Sequence, residues 1–176
     1  MKKFVVIIVC MALVQQATAQ SKWSFSPSAG INFSNLCGEE YDSKIRVGLN
    51  VGFESQYRLS NKFGLSAGLR YTEYGCRRND DSKTLAYLAI PVLGNLNLWK
   101  GLTVKCGLQP DFLISNNLIS HHSNKVDLDI PIGISYEYQH IVLDIRYNLG
   151  LLRVDKTYPG NDLRNRNLGI LIGYSF

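Results

Sequence analysis

From 44 to 59 the chain alternates without a break in step. Ile45, Val47, Leu49, Val51, Phe53, Tyr57 and Leu59 occupy odd positions, interrupted only by Ser55. Lys44, Arg46, Gly48, Asn50, Gly52, Glu54, Gln56 and Arg58 occupy the even ones. A β-strand sends successive side chains to opposite faces, so this period of two predicts a strand with one apolar and one polar side. Strands of soluble proteins run to about five or six residues, whereas a tilted strand crossing a bilayer needs about nine to eleven. The stretch has the length and the two faces of a membrane-crossing strand, with lipid on one side and a polar lumen on the other.

The pattern recurs at 23–33, 63–74, 85–98, 102–114, 126–138, 141–151 and 167–176. It is least strict at 85–98, where Leu88, Ile90, Val92, Leu96 and Leu98 share one face and Asn95 and Asn97 the other. Long connections at 34–43, 75–83, 115–125 and 153–166 alternate with tight ones at 60–62, 99–101 and 139–140. Such alternation is expected of outer-membrane barrels, whose periplasmic turns are short and outer loops long. The expected fold is therefore all-β, an eight-stranded antiparallel transmembrane β-barrel with both mature termini in the periplasm. Trp23, Phe25, Tyr57, Phe63, Trp99, Tyr138, Tyr174 and Phe176 fall at the short-turn ends of the strands, and Tyr71, Tyr74, Tyr87 and Phe112 toward the other. Aromatics gather at bilayer interfaces, so these are expected to form two girdles.

The first residues are organised differently. Lys2 and Lys3 precede an apolar run from Phe4 to Val14, and Ala17-Thr18-Ala19 closes it. These are the parts of a cleavable signal peptide, expected over 1–19, leaving 20–176 as the barrel domain. The run is too short to span a bilayer as a helix. The net charge of +5 falls by the two lysines of that segment to about +3. With acidic and basic residues interspersed, nucleic-acid binding finds no support.

At Gly30-Ile-Asn-Phe-Ser-Asn-Leu36, Tyr87-Leu-Ala-Ile-Pro-Val-Leu93 and Arg146-Tyr-Asn-Leu-Gly-Leu151, the chain resembles the small PorT-like outer-membrane β-barrel proteins of Gram-negative bacteria. More distantly it is similar to the eight-stranded OmpA and OmpX type. Ala89 stands where that family often carries Glu. The resemblance covers essentially the whole mature chain and implies a barrel in the outer membrane. It also implies that the terminal aromatic Phe176 is read by the outer-membrane assembly machinery.

The even-numbered face of the 44–59 strand and its counterparts place Arg46, Glu54, Arg58, Arg70, Lys105, Asp111, Asp127, Asp129, Glu137, Asp144 and Arg146 inside. An eight-stranded barrel is just wide enough for side chains to fill it, and buried ions must pair. The expectation is an interior ion-pair network that closes the lumen; a narrow channel or a transport or secretion-associated barrel is the alternative. Ser120 or Ser123 with His121 or His122 and Asp127 are the only candidates for a lipid-modifying hydrolase, and no nucleophile-elbow motif accompanies them. Adjacent histidines on an extended chain point apart, so His121 and His122 make a poor metal site. No enzyme activity and no cofactor are expected.

Cys10 leaves with the signal. Cys37 and Cys76 fall in the first two outer connections, in a compartment where disulfides persist, and could be joined; Cys106 belongs to the lipid-facing set. Arg77, Arg78, Arg164 and Arg166 give the outer rim a basic bias suited to anionic lipopolysaccharide headgroups. The expected role is that of a structural or surface-interaction protein working through its outer loops, with outer-membrane lipid and lipopolysaccharide as its neighbours. A lipocalin-like carrier would have the reverse faces, apolar inside and polar outside.

Overall fold

The computed structural model describes residues 22–34, 44–78, 81–116, 126–153 and 164–176. The expected signal peptide, Cys37, Ser120, His121, His122 and Ser123 lie outside them, and so do the side chains of Cys76, Arg77, Arg78 and Arg164. Nine strands follow one another: β1 (Trp23–Ser34), β2 (Lys44–Arg58), β3 (Phe63–Arg78), β4 (Asp81–Ala89), β5 (Val92–Trp99), β6 (Leu102–Asn116), β7 (Val126–Tyr138), β8 (Ile141–Arg153) and β9 (Arg164–Tyr174).

All pair antiparallel in one sheet, and β9 returns to β1, from Ser28 opposite Gly173 to Ser34 opposite Asn167. That pairing closes the barrel. β4 and β5 both lie between β3 and β6 and are two parts of a single crossing, so the spans number eight. The interruption falls at Ile90-Pro91, because proline has no N–H to give the ladder. The hydrogen bonds continue past it: Ile90 N donates to Pro110 O at 3.0 Å, and Gly68 N to Pro91 O at 3.0 Å.

One connection differs from expectation. The 75–83 stretch is mostly strand, with Gly75 opposite Thr84 and Arg78 opposite Asp81. Its polar residues read as loop, but a hairpin that projects beyond the bilayer needs ladder bonds rather than an apolar face. The tight turn after β7 is built from Gln139 and His140, both with positive φ (46° and 74°). That is the twist a two-residue hairpin demands. His140 is also held by its side chain, its Nδ1 lying 3.0 Å from Ser175 O and its ring stacked on Tyr174.

The faces sort as a membrane barrel requires. Large apolar side chains such as Val51, Leu69, Ile132 and Ile172 are exposed on the outside. Inside, nineteen polar or charged residues are buried against seven apolar ones among the described residues, the opposite of a lipocalin-like carrier. Gly30 lets the closing seam form: a Cβ there would lie 2.0 Å from the backbone oxygen of Ile170.

Around the short-turn end, Trp23 packs on Tyr57 with ring centroids 4.8 Å apart, and Tyr174 on Phe176 at the same distance. Trp99 is the most exposed of the large hydrophobic side chains among the described residues, at 80%. Toward the other end Tyr71, Phe112 and Tyr147 face out, but Tyr74 and Tyr87 do not. Both are buried in the lumen with Leu85, which corrects the expected girdle. Even positions of β3 point inward and carry Tyr74 with them. On β4 and the start of β5 the inward set is Leu85, Tyr87, Ala89 and Leu93, an apolar wall that explains the loose alternation there.

Candidate functional site

The chemistry of the barrel lies in its lumen, which is layered along the axis. Nearest the short turns is an open polar cavity of about 460 Å³. Its floor is an ion-pair network drawn from four strands. Glu54 on β2 sits at the centre, with Oε1 2.7 Å from Lys105 Nζ and Oε2 2.9 Å from Arg146 Nη2 and 3.7 Å from Arg70 Nη2. Asp144 Oδ2 completes the ring, 3.1 Å from both Lys105 Nζ and Arg146 Nη2. The side chains of all five are less than a tenth exposed.

Register explains how such bulky groups fit. Gly68 is opposite Glu54, Gly52 opposite Arg70, Gly169 opposite Arg146, and Gly133 lies between Lys105 and Arg146. Each inward glycine leaves the width that its charged neighbour fills.

Above the floor is a layer of amides and hydroxyls. Arg70 Nη1 donates to Asn50 Oδ1 at 3.3 Å, Asn50 Nδ2 to Asn32 Oδ1 at 2.9 Å, and Asn32 Nδ2 to Thr72 Oγ1. On the neighbouring strands Asn148 Nδ2 donates to Asn167 Oδ1, its partner in the β8–β9 ladder, at 3.3 Å. A void of about 10 Å³ at this layer, lined by Arg70 and Arg146 on one side and Tyr74 and Gln109 on the other, has room for about one water.

The third layer is aromatic and acidic. The Tyr74 hydroxyl donates to Asp111 Oδ2 at 3.3 Å and accepts from Gln109 Nε2 at 3.4 Å and Asn148 Nδ2 at 3.5 Å. Its ring lies 5.3 Å from that of Tyr87. Gln109 Nε2 also reaches Asp111 Oδ1 at 3.0 Å. Asp127 and Asp129 enter this level from β7, both buried.

Of the eleven inward charges expected from sequence, five thus meet in one network and three carboxylates form a separate level. Arg46 lies near the long-connection end, where its Nη2 is 3.7 Å from Glu73 Oε2 and its Nη1 donates to the Tyr74 backbone oxygen at 3.2 Å. The register between β2 and β3 shifts between Ile45 and Asn50, next to this contact. Arg58 and Glu137 are exposed at the mouth of the cavity rather than buried in the network. Glu73, Tyr74 and Gln109 were not foreseen as partners; the inward parity of Tyr74 and Gln109 was the available signal. Phe176 remains in the ladder, its N donating to Phe25 O at 2.9 Å. Cys106 is exposed and unbonded, and Arg166 is exposed.

An all-antiparallel closed sheet with a polar interior is one of the two architectures that can cross a bilayer. The outer membrane protein β-barrel domain family matches residues 15–156, most of the chain. The chain belongs to that family. Membership places this barrel in the outer membrane, and β9, beyond the matched residues, supplies the strand that closes it.

Ail of Yersinia pestis, in a phospholipid bilayer nanodisc, is similar in fold, with a TM-score of 0.56, 17% identity, and coverage of 87% of this chain and 99% of Ail. Neisserial surface protein A gives 0.55 and 15%, covering 89% and 98%. OprG from Pseudomonas aeruginosa gives 0.51 and 11%, covering 89% and 97%. At these identities the likeness is one of fold. None of the curated proteins compared matches the chain.

Proposed function

We propose that this outer-membrane barrel is a closed, non-enzymatic structural and surface-interaction protein, PorT-like in its motifs, that works through the connections at its long-loop end. The observation that carries the reading is the Glu54-centred network: a lumen crossed by five mutually engaged, buried charges is a plug. The short-turn end, with both termini, faces the periplasm, and Phe176 serves as the terminal aromatic that the assembly machinery reads. By their names Ail is an attachment invasion locus protein and NspA a surface protein, which supports a surface role. In planar bilayers the purified barrel is expected to show no steady single-channel conductance; a reproducible conductance would replace the plug with a narrow channel.

The outer rim is the second half of the proposal. Arg77, Arg78, Arg164 and Arg166 belong to strand ends at the long-connection side, where basic residues meet anionic lipopolysaccharide headgroups. Replacing all four by Gln is expected to reduce lipopolysaccharide co-purifying with the barrel at least about tenfold, since each basic residue near an anionic surface contributes about 1 kcal/mol and about 1.4 kcal/mol is a factor of ten. Unchanged co-purification would sink this contact.

A further inference from the structure

The cavity at the short-turn end plays no part in the function proposed above, and its size and charge are those of a binding site. At about 460 Å³ it falls within the range of ligand pockets, roughly 300–1,000 Å³. It is a cup, open toward the short turns and stopped by the ion-pair floor.

Its charges divide into two groups. Glu54 and Asp144 in the floor are engaged by Lys105, Arg146 and Arg70, three cations against two carboxylates, so the floor keeps a positive excess. At the mouth stand Arg58, Lys62 and Lys100 against Glu137 alone, and none of the four forms an ion pair among the described residues. Both ends of the cup therefore favour an anion.

The wall between them is hydroxylic. Ser24, Ser26 and Ser28 come from the inward set of β1, and Thr103 and Ser135 face them from β6 and β7. These side chains donate and accept hydrogen bonds in turn, as a polyhydroxylated molecule does. A further feature lies at the junction of wall and floor. Arg70, 4% exposed, lines the cup and donates through Nη2 to Ser28 Oγ at 3.2 Å, while its Nε has no hydrogen-bond partner. A buried guanidinium N–H without an acceptor is costly, and an anionic oxygen is the acceptor it would take most strongly.

We propose that the cup binds a small hydroxylated anion, a sugar framework bearing a phosphate or a carboxylate, with Arg58, Lys62 and Lys100 drawing it in and Arg70 meeting its charge. If the short turns face the periplasm, as proposed above, the ligand is a periplasmic solute. Binding itself does not depend on that orientation.

The test uses the barrel in lipid nanodiscs, which leave both ends accessible. Calorimetric titration with glucose 6-phosphate is expected to show saturable binding about tenfold tighter than glucose, and weakening as salt is raised. N-acetylmuramic acid separates a carboxylate from a phosphate as the preferred group. The paired substitutions Arg58→Gln and Lys100→Gln are expected to weaken glucose 6-phosphate binding about tenfold, and amide shifts in the unsubstituted barrel are expected at Ser26, Thr103 and Ser135. Absence of saturable binding by either anion, equal binding of glucose, or shifts confined to the opposite end would each overturn the site. The shift map stands independently of whether the double variant folds.

Discussion

Replacing Glu54 by Gln is expected to lower the unfolding free energy of the barrel by about 3–5 kcal/mol, the usual consequence of removing one partner from a buried ion pair. The substitution keeps the shape and removes the charge that Lys105 and Arg146 approach to 2.7 and 2.9 Å. Lys105 and Arg146 would then share Asp144 alone, and Arg70 would lose the carboxylate it faces. The control is Glu73→Gln, which breaks the 3.7 Å pair with Arg46, whose side chains are 15% and 25% exposed. Pairs so placed contribute about 1 kcal/mol or less. Urea unfolding in detergent micelles, followed by heat-modifiable gel migration, measures both. Equal losses for the two variants would mean that the central network is no more than a surface pair in its effect. A double-mutant cycle between Glu54 and Lys105 should return a coupling of about 0.5–3 kcal/mol, because the two touch.

Tyr74→Ala is expected to have a comparable effect, about 3–5 kcal/mol, for a different reason. The ring is fully buried and packs on Tyr87 and Leu85, so truncation leaves a cavity that the strands around it cannot collapse to fill. It also removes the hydroxyl that Asp111, Gln109 and Asn148 share. Tyr74→Phe separates the two contributions. It keeps the packing and leaves the polar neighbours short of one partner, a loss of about 1–3 kcal/mol. If Tyr74→Ala unfolds at the same urea concentration as the unsubstituted barrel, the aromatic level is not a structural part of the plug.

The architecture was legible in the sequence because two-residue periodicity reports directly which solvent each face meets. Ile45 to Leu59 marked the lipid side, and the alternation of long and short links marked the two ends. Periodicity also said that Glu54, Arg70, Lys105, Asp144 and Arg146 face the lumen. It could not say that they meet while Asp111, Asp127 and Asp129 occupy another level, since parity fixes the face of a residue but not its height. Height depends on strand tilt and register, visible only in pairings such as Lys105 with Gly133 and Gly133 with Arg146. The inward glycines beside the charges were a sequence signal of that arrangement, readable once the register is known. Tyr74 and Tyr87 were misplaced because aromatic residues near strand ends suit either a girdle or a plug. Only the parity of Tyr74 against Arg70 and Thr72 distinguishes them, and on β4 the inward face is itself apolar.

The pairing of β1 with β9 also bears on how the molecule comes to exist. Ser34 meets Asn167 and Ser28 meets Gly173, so the first strand to emerge during synthesis waits for the last. Until then β1 and its growing sheet present unsatisfied backbone groups, an invitation to intermolecular pairing. Contacts so distant along the chain also make folding slow. A nascent chain of this kind needs custody between export and insertion, and any truncation that removes Leu168 to Gly173 would yield an open sheet with two bare edges rather than a smaller barrel.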